Sequence, residues 1–196
     1  RLPVIKSEHG QELSGRAYSP QQTELIASAQ APHNALATQI AYAAGLRAHE
    51  LLTLRPADER AADPRPALDS KWQSRDGELY TVQGKGGLTR EVMIPRELAA
   101  RLEERRLDAP ERVTDRGIYY QSTYDIGGGQ RWSNSFSAAS ERTMGRSTGA
   151  HGLRHSYAQE RMRELQRTGM LRDRALETVS QEMGHFRPEI TETYLR

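Results

Sequence analysis

The chain has 196 residues, enough for one sizeable domain or at most two small ones, and 28 basic against 26 acidic residues leave a formal charge of only +2. Charge alone therefore does not announce nucleic-acid binding, although a sequence pI near 9.0 permits it. The absence of cysteine excludes disulfide frameworks, thiolate catalysis and cysteine-ligated metals.

No apolar run approaches the roughly 18 residues that span a bilayer, and no signal-peptide pattern opens the chain, so the expectation is a cytoplasmic protein. The chain starts at Arg1 rather than Met, which reads as a piece of a longer polypeptide. Lysine occurs only at Lys6, Lys71 and Lys85, and every other positive side chain is arginine. Lys85 is therefore of interest where it stands.

Residues 1–19 are polar with scattered Gly and Pro and read as an arm or linker. Ser19-Pro20 followed by 21–29 predicts a helix start, with Ser as cap and Pro at the first helical position. From His33 to Leu54 the pattern is strongly helical: Leu36, Ile40 and Ala43 share a face, Ala44-Gly45 interrupts, and Leu46 to Leu54 resumes as a second short helix with Arg47 and Glu50 three apart. Residues 55–77 carry prolines and charges without a period and read as a surface loop with one short strand near Lys71-Trp72.

Glu78–Val82 and Arg90–Ile94 flank Gly84-Lys85-Gly86-Gly87, which predicts a hairpin with a Gly-rich turn. Arg96–Leu107 reads as a charged amphipathic helix. Pro110 to Gly129 shows no single period; Ile118-Tyr119-Tyr120 reads as a short strand and Gly127-Gly128-Gly129 as a turn. Helices are then expected over 133–145, 151–168 and 171–183, with a last short one from Pro188 to Tyr194. The class is mainly α with a small antiparallel β-hairpin or sheet.

The last quarter concentrates the chemistry. His151 and Arg154, three apart, set a proton-transfer group beside a fixed fork of donors suited to phosphate or carboxylate. Gly184-His185 presents a second imidazole at a helix end, and Tyr194 a phenol nine residues later. Together they suggest nucleophilic attack on phosphorus. Taken singly, each has an ordinary alternative: Arg47 with Glu50 a solvated pair, Lys85 a turn residue, His151 a cap, Arg154 a surface ion pair, His185 a helix-end residue, Tyr194 a packing aromatic. His151 and His155, four apart, imitate half a zinc helix, but no Glu follows His151, so neither metal nor cofactor is expected.

Five separated segments in order change that balance: Ala44-Gly45-Leu46-Arg47-Ala48-His49-Glu50-Leu51, Gly84-Lys85-Gly86-Gly87, His151-Gly152-Leu153-Arg154-His155-Ser156, Met183-Gly184-His185 and Tyr194. With them, residues 20–196 resemble the catalytic domain of the tyrosine recombinases, the phage-integrase type of DNA strand-transfer enzyme. The resemblance implies that Arg47 and Arg154 clamp the scissile phosphate, that Glu50 orients the site, and that Lys85 protonates the leaving 5′-oxygen. It further implies that His151 relays the proton of the attacking phenol, that His185 hydrogen-bonds the same phosphate, and that Tyr194 forms a 3′-phosphotyrosyl link.

The implied partner is double-stranded DNA, with a homotetramer on DNA, a directionality factor, and a bacterial or phage mobile element as the setting. Residues 1–19 would then link to a missing N-terminal DNA-clamping domain. The chain stops two residues past Tyr194, where family members commonly continue into a segment that packs on a neighbouring subunit. Two further readings remain open at this point. One is relaxation of DNA in the manner of a type IB topoisomerase, the other a non-catalytic DNA-binding module.

Overall fold

The structure, a computed structural model, describes residues 16–185 and 187–196, with Lys85 described by its backbone. The helices are α1 (Pro20–Ser28), α2 (Pro32–Ala44), α3 (Arg96–Glu103), α4 (Gly129–Met144), α5 (Gly152–Arg167), α6 (Arg172–Met183) and α7 (Pro188–Glu192). The strands are β1 (Arg55–Pro56), β2 (Glu78–Gln83), β3 (Thr89–Ile94), β4 (Arg106–Asp115) and β5 (Ile118–Tyr124). The first three form an antiparallel sheet in the order β1-β2-β3, and β4-β5 form a separate two-stranded ribbon. Among the described residues no helix is long and apolar enough to cross a membrane.

Helix α1 starts where the sequence places it. Ser19 accepts from the Gln22 amide while the Gln22 side chain accepts from the Ser19 amide, a reciprocal cap with Pro20 in the first turn. The residues just before it are built into the molecule. Tyr18 is buried, and its backbone N–H and C=O both bond the Ser156 hydroxyl on α5. Gly152 makes this approach possible, since a Cβ there would lie 2.3 Å from the Arg16 carbonyl oxygen. Residues 1–15 of the expected arm lie outside the described residues.

The second short helix expected over 46–54 does not form. After α2 ends at Gly45, only Glu50–Thr53 takes a single 3₁₀ turn, and Arg47 lies before it. The leucines at 46, 51, 52 and 54 are all buried although their spacing would spread them around a helix rather than along one stripe, and the Glu50 carboxylate takes the Arg47 backbone N–H. The strand expected near Lys71-Trp72 is also absent; Trp72 and Ser74 adopt left-handed turn conformations instead. This segment is a strap. Asp63 pairs with Thr89 on β3 through two hydrogen bonds, while Leu68 N and Trp72 N donate to Gln181 and Glu182 on α6.

The β2–β3 hairpin is as expected, with Tyr80 opposite Val92 and Val82 opposite Arg90. The second ribbon is longer than the expected short strand. Helix α3 stops at Glu103, and Arg106 begins β4, which pairs with β5 through a two-residue turn at Arg116-Gly117. Pro110 and the charges along β4 hide its strand character, since most of that strand faces solvent. At the C-terminus, α7 ends at Glu192 and Tyr194 sits in a 3₁₀ turn.

Two apolar clusters meet along α5. Leu153 belongs to the cluster built on α1, α2, α3, α4 and the first sheet, while Tyr157, Met162 and Leu165 join α6 and Tyr194 in the other. Arg154 and His155 lie between those two attachment points, at the seam.

Candidate active site

The C-terminal turn folds back onto α5 within the same chain. The Tyr194 hydroxyl lies 3.0 Å from His151 Nε2. The tyrosine ring stacks on His185 at 5.4 Å, meets the His155 ring edge-on at 4.8 Å, and lies 5.3 Å from the Arg154 guanidinium carbon. Gln159 on α5 holds the segment by donating to the Tyr194 carbonyl at 3.1 Å. His151 occupies the cap position before α5 and lines the cleft, while Arg154, one turn on, points inward.

Arg154 is fully buried, and the ends of two helices hold it. Its Nη1 donates to the Gly45 carbonyl at the end of α2 (2.6 Å), and its Nη2 to the Met183 carbonyl at the end of α6 (3.3 Å) and to His185 Nε2 (2.9 Å). Helix C-termini carry partial negative charge, which suits a buried cation. The Arg154 Nε–H is buried without a partner.

Glu50 is the second anchor. Arg90 on β3 donates to both Glu50 oxygens, at 3.1 and 2.9 Å, and its Nη1 donates to the Glu182 carbonyl at 2.9 Å. Arg90 reaches α6 because Gly184 is there: a Cβ would lie 2.4 Å from Arg90 Cδ, and the backbone takes φ +79°. Arg47 completes the group more loosely, about a third exposed, with Nη1 3.5 Å from Glu50. Glu50 itself has no exposed surface, so the solvated-pair reading of Arg47 and Glu50 does not apply.

The electrostatics follow from this crowding of cations. Burial raises the Glu50 carboxyl, but Arg90, Arg154 and Arg47 outweigh it and hold the pKa at about 2. Burial and Arg47 lower Arg154 to about 10, so it stays charged at neutral pH. Burial, followed by Arg154 and Arg47, pushes His151 below its ordinary value and His185 down to about 3. His155 falls to about 4, chiefly through burial and then the neighbouring His151. All three imidazoles are thus neutral at pH 7.

Arg47, Arg90, Arg116 and His151 line a cleft of about 450 Å³, with Glu50 as its one acidic lining residue. Lys85 opens the turn between β2 and β3, and Gly84 before it lines the same cleft. Among the described residues no group of three His, Asp or Glu is arranged to hold a metal ion.

Several solved structures share this arrangement of elements. XerH site-specific recombinase bound to a palindromic difH substrate, in a post-cleavage complex, is 17% identical with a TM-score of 0.56, over 92% of this chain and 49% of that one. XerA recombinase is 14% identical with a TM-score of 0.57, over 92% and 58%. The Tn1549 transposon integrase in complex with transposon right end DNA is 16% identical with a TM-score of 0.54, over 92% and 61%. The fold is that of the tyrosine recombinase catalytic domain. No family profile and no curated protein matches the chain. The chain spans about half to three-fifths of the length of these recombinases.

Within the recombinase fold, Arg47, His151, Arg154, His185 and Tyr194 come together, with Glu50 beneath them. Reading the sequence missed Arg90, which is paired to Glu50 across 40 positions and sits among ordinary strand residues. It also missed the buried hub at Glu182, which accepts from Arg161, Tyr157 and the Trp72 amide and ties α5, α6 and the strap together. An acidic residue one position before Met183-Gly184-His185 was the only available signal.

Proposed function

We propose that the chain is the catalytic domain of a site-specific DNA recombinase or integrase that cleaves and rejoins strands through a 3′-phosphotyrosyl intermediate. The observation that carries this reading is the Tyr194 hydroxyl seated on His151 and above Arg154 beside an arginine-lined cleft. A packing tyrosine does not need a neutral imidazole at its hydroxyl and a buried guanidinium beneath its ring.

In this reading the scissile phosphate enters the cleft and its non-bridging oxygens meet Arg47, while the buried Arg154 guanidinium adds positive charge from beneath the Tyr194 ring. The Tyr194 oxygen attacks phosphorus while its proton passes to His151 Nε2. The P–O bond to the 5′-oxygen breaks, and Lys85 supplies the proton that oxygen needs. Fixed cations facing the equatorial oxygens stabilise the more highly charged transition state more than the ground state. The phosphotyrosyl bond conserves the ester, so religation needs no nucleotide. Double-stranded DNA is the partner, and a tetramer on DNA the working assembly of the complete protein.

The test is a nicked suicide duplex carrying the junction sequence of the element that encodes the protein. A covalent adduct is expected with the unaltered protein and is absent in Tyr194→Phe. An adduct that survives this change removes Tyr194 as nucleophile. Relaxation of supercoiled plasmid lacking any junction sequence would instead assign a topoisomerase-like activity.

A further inference from the structure

His185 has both ring nitrogens occupied, and the identity of its partners determines where its proton sits. Arg154 Nη2 can only donate, so His185 Nε2, 2.9 Å away, must accept and carries no hydrogen. The single proton of the neutral ring is then on Nδ1, which faces Thr191 Oγ1 at 2.8 Å and donates to it. Thr191 passes the sense on. Ser180 Oγ donates to the Leu176 carbonyl at 2.7 Å, so it accepts from the Thr191 hydroxyl, also at 2.7 Å. His185, Thr191 and Ser180 are all buried, which keeps water from offering alternatives.

We propose that Thr191 is a positioning residue that holds His185 in the Nδ1–H tautomer, making His185 Nε2 the acceptor that orients the Arg154 guanidinium. The resemblance implies a His185 that donates to phosphate. In this structure its only proton is committed to Thr191 and Nε2 is engaged by Arg154. Thr191 lies on α7, three residues before Tyr194, whose ring stacks on the same imidazole. One hydroxyl therefore couples the seat of the phenol to the aim of the arginine.

The tautomer assignment stands apart from the proposed activity; only its kinetic consequence rests on that reading. The experiment is long-range proton–nitrogen correlation NMR on protein labelled with ¹⁵N-histidine, at neutral pH and without DNA. The unaltered protein is expected to show His185 with a protonated Nδ1 and an unprotonated Nε2. Thr191→Val, which keeps the shape and loses the hydroxyl, is expected to populate the Nε2–H form, and Thr191→Ser to restore the original signature. On the suicide duplex, Thr191→Val should slow adduct formation about tenfold or more with DNA affinity retained, by analogy with residues that orient a metal-bound histidine. Thr191→Ser should recover the rate.

An Nε2–H signature in the unaltered protein overturns the proposal without requiring any variant to fold. So does a Thr191→Val protein whose tautomer is unchanged. If the tautomer is as assigned but no adduct forms with any protein, the recombinase reading falls while the assignment stands.

Discussion

The Tyr194 hydroxyl and His151 Nε2 are 3.0 Å apart across 43 positions of one chain, with the Arg154 guanidinium carbon 5.3 Å from the tyrosine ring. The proposed nucleophile and proton acceptor are therefore juxtaposed within a single copy of the chain. Removing the phenol oxygen tests the chemistry without dismantling the fold. Tyr194→Phe keeps the ring stacked on His185 and loses one partly buried hydrogen bond, so it should cost about 0.5–1.5 kcal/mol of stability. Urea unfolding checks this, and a much larger loss would mean that the hydroxyl is structural.

The pH dependence of cleavage should follow His151. It must be neutral to accept the phenol proton, and burial with the nearby arginines lowers its pKa. The rate of adduct formation should therefore hold as pH falls through the ordinary histidine value of 6.5 and drop only below it. Single-turnover rates across pH test this, and an acid limb centred above 6.5 contradicts it.

Stability should decline with acid earlier than carboxylate titration alone allows. His155 and His185 have folded pKa values of about 4 and 3 against 6.5 for the free group, so between these limits the unfolded chain binds the extra protons. Their contribution is complete above pH 6.5 and lost as pH falls, with a slope of up to about 1.4 kcal/mol per pH unit for each. Glu50, held at about 2 against 4.5, adds its loss only at lower pH. Urea midpoints should already fall between pH 6.5 and 5, and His155→Asn should flatten that slope.

Breaking the Glu50–Arg90 pair should be the most damaging single change near the cleft. Arg90→Ala removes both charge-assisted bonds from the buried Glu50 carboxylate and leaves it to Arg47, a loss of up to about 3–5 kcal/mol. Glu50→Gln keeps the shape and part of the bonding and should cost less. Denaturant titration of both variants checks the order, and equal or reversed losses would show that the pair is not the anchor.

Gly184→Ala should damage the site through geometry. The alanine would hold a left-handed conformation, worth about 1–2 kcal/mol, and would meet the Arg90 side chain. The expected result is lower stability together with slower adduct formation, because Arg90, Met183 and His185 all shift with that turn. A variant of unchanged stability would show that the turn relaxes freely.

Local pattern made much of this molecule readable from its residues. Ser19-Pro20 starts a helix, the Gly-rich segment at 84–87 turns a hairpin, and the helices at 152–167 and 172–183 follow their apolar spacing, because each depends on contacts within a few residues. The ordered set from Arg47 to Tyr194 was likewise visible as residue types suited to phosphate. Pattern failed where distant groups set the conformation. Residues 46–49 stay out of a helix where Glu50 is claimed by Arg90 from β3, and β4 forms on a polar sequence because β5 pairs with it.

What the sequence determined by itself was the inventory: a phenol, imidazoles and guanidiniums in the order of a known fold, without cysteine. Only the tertiary structure decided that His185 stands between Arg154 and Thr191, that Arg154 is clasped by the ends of α2 and α6, and that Tyr194 rests on His151 of its own chain. Proton position and side-chain aim depend on hydrogen-bond partners brought together from separate elements, and no local stretch of chain encodes those partners.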